Sequence, residues 1–191
     1  MRKVLFLTVL ALSCSLITKA QIQRGNLMVG GDIADFRLNL NEGGYFTMRI
    51  NPKVGFFIKD NLAIGPYVNL GLTTVKGGGT SVDYGVGAFG RYYLNDTAIN
   101  VVRHGRFFFE GNVGIEGNNP SGGSNTNGLG LGIGPGFAYF ITPNVGLETM
   151  LKYQGIVGFG SNPTSSTLDL SVGFQIYLSS SHARRVADRL Q

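Results

Sequence analysis

Residues 168–178 read Leu168-Asp169-Leu170-Ser171-Val172-Gly173-Phe174-Gln175-Ile176-Tyr177-Leu178. Leu168, Leu170, Val172, Phe174, Ile176 and Leu178 share one parity, while Asp169, Ser171, Gly173, Gln175 and Tyr177 share the other. A period of two belongs to extended chain, whose successive side chains leave on opposite faces. The stretch is therefore a strand with one apolar face and one polar or small face.

Working backwards, six further segments read the same way. Val145, Leu147, Thr149, Leu151 and Tyr153 oppose Gly146, Glu148, Met150 and Lys152. Leu129, Leu131, Ile133, Pro135, Phe137, Tyr139 and Ile141 oppose a run of glycines and Ala138. Phe107, Phe109, Val113 and Ile115 oppose Glu110, Asn112 and Glu116; Val82, Tyr84, Val86, Ala88, Tyr92 and Leu94 oppose Asp83, Gly85, Gly87 and Arg91. Leu62 to Leu72 and Phe46 to Ile58 complete the set, with Asn69 on the polar face of the first and Arg49, Asn51 and Lys53 on that of the second. A weaker eighth strand runs from about Leu27 to Phe36, with Asp32 on its polar side. No segment carries a helical apolar stripe, and the 30 glycines would each cost a helix roughly 1 kcal/mol.

The ionisable residues of the strands keep to one parity: Asp32, Arg49, Lys53, Asp83, Arg91, Glu110, Glu116, Glu148, Lys152 and Asp169. Such segregation is what a bilayer demands, since one Arg or Lys facing lipid at mid-depth costs about 2–4 kcal/mol. A soluble, lipocalin-like barrel would invert the arrangement and enclose a ligand with its apolar face. Against that reading, the apolar face carries large residues from end to end, and glycine lies mostly opposite, where a narrow interior needs small groups. Aromatic residues (Phe46, Phe56, Tyr92, Phe107, Tyr139) fall near strand ends, as interfacial girdles do.

Connections alternate in length. Lys59-Asp60-Asn61 and Thr142-Pro143-Asn144 are tight turns, whereas 73–81, 117–128 and 154–167 read as longer loops rich in Gly, Ser, Asn and Thr. Asn95 to Gly105 is long for a place where a tight turn is due. An internal repeat relates Pro52 to Ile64 with Pro135 to Leu147, an offset of four strands. The fold expected is all-β: a closed, eight-stranded, antiparallel, up-and-down transmembrane barrel, closed because hydrocarbon offers no partner to a free sheet edge. Eight strands leave an interior that side chains fill, so ion-paired inward groups are expected to plug it rather than line a pore.

The ends differ from this body. Arg2 and Lys3, the apolar run from Val4 to Ile17, and Thr18-Lys19-Ala20 have the layout of a secretory signal over 1–20, with cleavage between Ala20 and Gln21. The barrel then occupies 21–178, followed by a basic tail over 179–191. Of the formal charge of +5, Arg2, Lys3 and Lys19 carry three and the tail, with Arg184, Arg185 and Arg189 against Asp188, carries two. The body is neutral, which gives nucleic acid no electrostatic footprint. The single cysteine, Cys14, lies in the signal, so the body has neither disulfides nor thiolate metal ligands.

Several stretches resemble the outer-membrane β-barrel domain family of small OmpA/OmpX-like proteins. They are Pro52-Lys53-Val54-Gly55-Phe56-Phe57, Asp60-Asn61-Leu62-Ala63, Gly90-Arg91-Tyr92-Tyr93-Leu94 and the closing Ser171 to Leu178. The resemblance covers the whole body and implies a place in the outer membrane of a Gram-negative bacterium. It also implies lipid and the barrel assembly machinery as partners, with Ser171, Gly173, Ile176 and Leu178 as the assembly signal of the last strand. Family members usually end on an aromatic residue, whereas this chain continues to Gln191.

No catalytic constellation emerges. The glycines of 128–136 repeat every second residue, with no G-x-G-x-x-G window and no following Lys-Ser/Thr, so they form no nucleotide loop. A lipid-modifying hydrolase or acyltransferase of this architecture needs His, Ser and an acid at the outer rim. The two histidines, His104 and His182, fall instead in the 95–105 segment and the tail. The expectation is a non-enzymatic protein without cofactor or metal, in a structural, adhesive or surface-interaction role with an unnamed external or cell-wall contact. A lipid-modifying enzyme, a narrow channel and a soluble ligand-binding barrel are the alternatives.

Overall fold

The computed structural model describes residues 22–38, 44–94, 105–119, 126–159 and 165–179. Its strands are β1 (Leu27–Leu38), β2 (Tyr45–Lys59), β3 (Leu62–Val75), β4 (Thr80–Tyr93), β5 (Gly105–Asn119), β6 (Thr126–Thr142), β7 (Val145–Gly158) and β8 (Ser165–Leu178). Each pairs antiparallel with the next, and β1 pairs with β8 from Leu27↔Leu178 to Ala34↔Ser171. The eight strands thus form one closed barrel, and no strand is left with a free edge. The weak eighth strand of the sequence is β1, which closes the barrel, and its glycines at 30 and 31 lie in the two ladders it shares with β2 and β8.

Parity sorts the side chains as alternation requires. Ile33, Phe56, Val68, Val86, Val113, Ile133, Leu151 and Leu170, one from each strand, are exposed on the outer surface. Their neighbours in sequence are buried in the lumen: Asp32, Phe57, Tyr67, Asn69, Asn112, Met150, Asp169 and Ser171 among them. The outer surface is therefore apolar and the charges face inwards, the reverse of a water-soluble barrel.

The strands extend further than their apolar patterns. β3 and β4 reach Val75 and Thr80, leaving only Lys76 to Gly79 between them; β5 runs to Asn119, β6 begins at Thr126, β7 ends at Gly158 and β8 begins at Ser165. The loops expected over 73–81, 117–128 and 154–167 are correspondingly shorter. Composition misplaced these boundaries because Gly, Ser, Thr and Asn pair in a ladder as well as any residue once a neighbouring strand is there; Asn118↔Thr126 and Gly155↔Ser166 do so. About 9–11 tilted residues suffice to cross a hydrocarbon layer. The strands, at 12–17 residues, are long enough for that.

At the opposite end the two described turns are tight. Both internal repeats fold as strand, turn and strand, β2–β3 and β6–β7, and Asn61 in the first turn has φ = 64°. Asparagine tolerates this left-handed conformation, which a β-branched side chain resists by about 1–2 kcal/mol. Asn61→Val is expected to lower unfolding stability by that amount in urea titrations in detergent micelles, with Asn61→Gly near neutral. The segment before β1 crosses the same turn: Gly25 N donates to Phe57 O at 2.8 Å, Asn61 N to Ile22 O at 3.0 Å and Arg24 N to Asp60 Oδ1 at 2.8 Å. Ile22 packs on the aromatic cluster beneath.

Candidate functional site

The lumen has three levels. At the turn end, Phe57, Tyr93, Phe108, Phe140 and Tyr177 pack ring to ring, with centroids 5.2 Å apart for Phe140–Tyr177, 5.6 Å for Tyr93–Phe108 and 6.1 Å for Phe57–Tyr93. Gly136 faces Phe108, whose ring occupies the space a Cβ would need. Polarity patterning did not anticipate this aromatic plug. Its signal is the set of aromatic doublets, Phe56-Phe57, Tyr92-Tyr93, Phe107-Phe108 and Tyr139-Phe140, each of which places one ring outside and one inside.

Above the plug lies a charged layer centred on Arg91 and Glu110. These residues face each other in the β4–β5 ladder. Arg91 Nε and Nη2 donate to Glu110 Oε2 at 2.9 and 2.6 Å, and Nη1 donates to both oxygens of Glu148 at 2.6 and 2.8 Å. The guanidinium lies 4.0 Å from the Phe108 ring centroid, a stacked cation–π contact. Lys53 Nζ is 3.0 Å from Glu110 Oε1 and 2.7 Å from Asp32 Oδ1, and Lys152 Nζ is 3.0 Å from Glu110 Oε1. Tyr93 and Tyr177 bridge to the plug, their hydroxyls 2.8 Å apart, with Tyr177 OH donating to Glu148 Oε1 at 3.0 Å. Charged donors and acceptors at such distances make strong hydrogen bonds.

Nearer the loop end, Tyr67 OH and Gln154 Nε2 donate to Glu116 Oε1, each at 3.0 Å, and Gln154 Nε2 also lies 2.8 Å from Oε2. Arg49 reaches Asp169 at 3.2 Å and Asp83 at 3.9 Å, and Asn118 Nδ2 donates to Asp83 Oδ1. The space left among these groups is small at mid-barrel, about 20 Å³ between Asp32, Lys53, Tyr67, Glu110 and Lys152. That is room for one or two waters. At the mouth it widens to about 230 Å³.

All ten inward-assigned ionisable residues line this interior or its mouth. Asp32, Lys53, Arg91, Glu110, Glu116, Glu148 and Asp169 are buried; Arg49, Asp83 and Lys152 keep part of their surface accessible. Of the assembly-signal residues, Ser171 is buried in the lumen, Ile176 is exposed outside, and Gly173 and Leu178 lie in the same strand. Ala20, Gln21, His104, His182, segment 95–104 and the tail from residue 180 lie outside the described residues. Among the described residues no group of acidic or histidine side chains converges as a metal site.

A closed eight-stranded cylinder with an apolar outside and a charged, filled inside defines the class: a small β-barrel of the outer-membrane type. No protein-family model matches the chain, and none of the curated proteins does. Among solved structures, the crystal structure of Neisserial surface protein A is similar with TM-score 0.56 at 17% identity, over 79% of this chain and 94% of that one. The N-terminal β-barrel domain of Pseudomonas aeruginosa OprF is similar with TM-score 0.53 at 12% identity, over 81% of this chain and 98% of that one. At these identities the likeness is one of fold.

Proposed function

We propose that this chain is an integral outer-membrane β-barrel of a Gram-negative bacterium, non-enzymatic and non-conducting, with a structural, adhesive or surface-interaction role exercised at its loop end. The observation that carries the reading is the inversion of the barrel: exposed Ile, Val, Leu and Phe on every strand outside, and ion-paired Arg, Lys, Asp and Glu within. Water gives no reason for such an arrangement, whereas lipid does. The secretory layout of residues 1–20 and the Ser171, Gly173, Ile176 and Leu178 pattern fit export and insertion by the assembly machinery. The filled lumen favours a role at the surface over one in transport.

Cysteine labelling tests location and orientation together, because the only native cysteine lies in the signal. A Ser121→Cys variant is expected to react with a membrane-impermeant maleimide on intact cells, and an Asn144→Cys variant only after lysis. The purified barrel is expected to shift in gel mobility on heating. Recovery of the unlabelled protein in the soluble fraction without detergent would overturn the membrane reading. Stable single-channel steps in planar bilayers would overturn the non-conducting one.

A further inference from the structure

The outer wall is not evenly filled. Towards the turn end of β3, β4 and β5 the outward positions are Pro66, Ala88, Gly90 and Gly111, and they adjoin: Pro66 lies opposite Ala88, and Gly90 opposite Gly111. Phe56, Ile58, Ile64 and Val113 stand exposed around them. The result is an apolar hollow of about 860 Å³, open on the outer side, in the ~300–1,000 Å³ range of small-molecule sites.

The barrel's own packing does not require the two glycines. A Cβ at Gly90 would come no nearer than 4.0 Å to Ile64 Cγ2, and one at Gly111 no nearer than 3.6 Å to Gly132 O. Elsewhere in the lattice of strands glycine is forced: a Cβ at Gly134 would collide with Leu151 O, and one at Gly136 with the Phe108 ring. Glycine weakens a strand and leaves it no side chain to pack, so Gly90 and Gly111 are a cost to the barrel taken alone. A hydrocarbon chain lying in the hollow would restore that contact.

The rim beside the hollow carries charge. β2 passes the hollow at Ile58 and ends at Lys59, which is exposed. Arg24, also exposed, lies over the same turn, where its backbone N donates to Asp60 Oδ1. Two cations meet one carboxylate there, and neither the Lys59 ammonium nor the Arg24 guanidinium has an ion-pair partner among the described residues. Only three residues of β4 separate Gly90 from Tyr93 at the strand end, about 10 Å of extended chain. A head group at the rim can therefore send its chain into the hollow.

We infer that the hollow seats one acyl chain of a membrane phospholipid whose phosphate is held at the rim by Lys59 and Arg24. Cations at a membrane surface attract anionic lipid, and a phosphate fits a pair of them. A second copy of the chain fits less well. Its convex wall would meet Phe56, Ile58 and Val113 before the glycine floor, which a flexible chain reaches. The inference rests on the membrane reading, and the two can fail separately: soluble recovery without detergent removes that reading, whereas a barrel that fractionates with membranes yet holds no lipid here overturns only this inference.

The full barrel refolded in dodecylmaltoside micelles is titrated with dipalmitoylphosphatidylglycerol, and retained lipids are counted by native mass spectrometry. One saturable adduct per barrel is expected. Gly90→Leu combined with Gly111→Leu fills the floor from outside and is expected to weaken it about tenfold or more. Ile33→Leu combined with Val172→Leu, a pair on the β1–β8 wall, is expected to leave it unchanged. Lys59→Gln combined with Arg24→Gln is expected to weaken it roughly fivefold or more, and dipalmitoylglycerol, which lacks the phosphate, to bind as weakly to the unaltered barrel. Heat-dependent gel mobility confirms that each variant is folded. Adducts that never saturate, or equal affinity in the glycine double variant, would overturn the inference in favour of bulk lipid. A dimer that the glycine double variant abolishes, with no lipid adduct, would overturn it in favour of a second copy. Should that variant fail to refold, the Lys59→Gln and Arg24→Gln pair decides, and unchanged affinity in it overturns the inference.

Discussion

Arg91→Ala is expected to destabilise the barrel by about 3–5 kcal/mol, the cost of stranding a buried charge by removing its partner. Arg91 is 1% exposed and joins β4 to β5 through Glu110 and across the lumen to β7 through Glu148. The two carboxylates are affected differently by its loss. Glu110 retains Lys53 and Lys152, whereas Glu148, 6% exposed, keeps only the Tyr177 hydroxyl among its described partners. Most of the loss is therefore assigned to Glu148. It follows that Arg91→Ala combined with Glu148→Gln should recover a large part of the stability, as coupled residues do in a double-mutant cycle. Arg91→Lys should fall between, because an ammonium cannot make the forked contact to two carboxylates while stacking on Phe108. The chain has no tryptophan, so unfolding in urea is followed by circular dichroism in micelles. A loss below about 1 kcal/mol for Arg91→Ala, the range of solvated pairs, would show that this layer is wetter than its geometry indicates.

The strands themselves were legible in the sequence because a bilayer-type barrel obeys a strict two-residue rule. Asp169 and Leu170 are adjacent in the chain, yet one is buried in the lumen and the other exposed outside. The pairing of the interior was much less legible. Lys152 lies opposite Asp169 in the β7–β8 ladder, but its ammonium bonds Glu110 on β5; Asp169 instead takes Arg49 from β2. Long side chains in a narrow tilted cylinder reach across the lumen, so neither sequence spacing nor ladder register fixes their partners. A near balance of cations and anions could be counted from residue types. Which of them meet in the central layer and which lie toward the loop end could not, because that depends on the depth at which each strand places its charges. The plug was missed for a related reason: inward parity was equated with polar or small, whereas the turn end of the lumen is filled by rings.

Ile133→Arg separates the two possible surroundings of the outer face, because the expected cost differs between lipid and water. Ile133 stands midway along β6, opposite Gly111 of β5 and Tyr153 of β7, and is 63% exposed. In a bilayer this position lies near the hydrocarbon centre, where an arginine costs about 2–4 kcal/mol. In water the same change touches no packed neighbour and should fall within about ±0.5 kcal/mol. Thr74→Arg, on the same outer parity but at the loop end of β3, supplies the depth comparison and should cost no more than about 1 kcal/mol in either medium. Reversible urea unfolding from phospholipid vesicles measures both variants. A cost at Ile133 that vanishes at Thr74 reports a thickness of hydrocarbon as well as its presence, since snorkelling relieves arginine only near an interface. Equal and negligible costs at the two sites would mean that the apolar belt contacts water. The inward charges would then need another explanation, since nothing in an aqueous environment drives Arg91 and Glu110 inside while leaving Ile133 and Leu170 out.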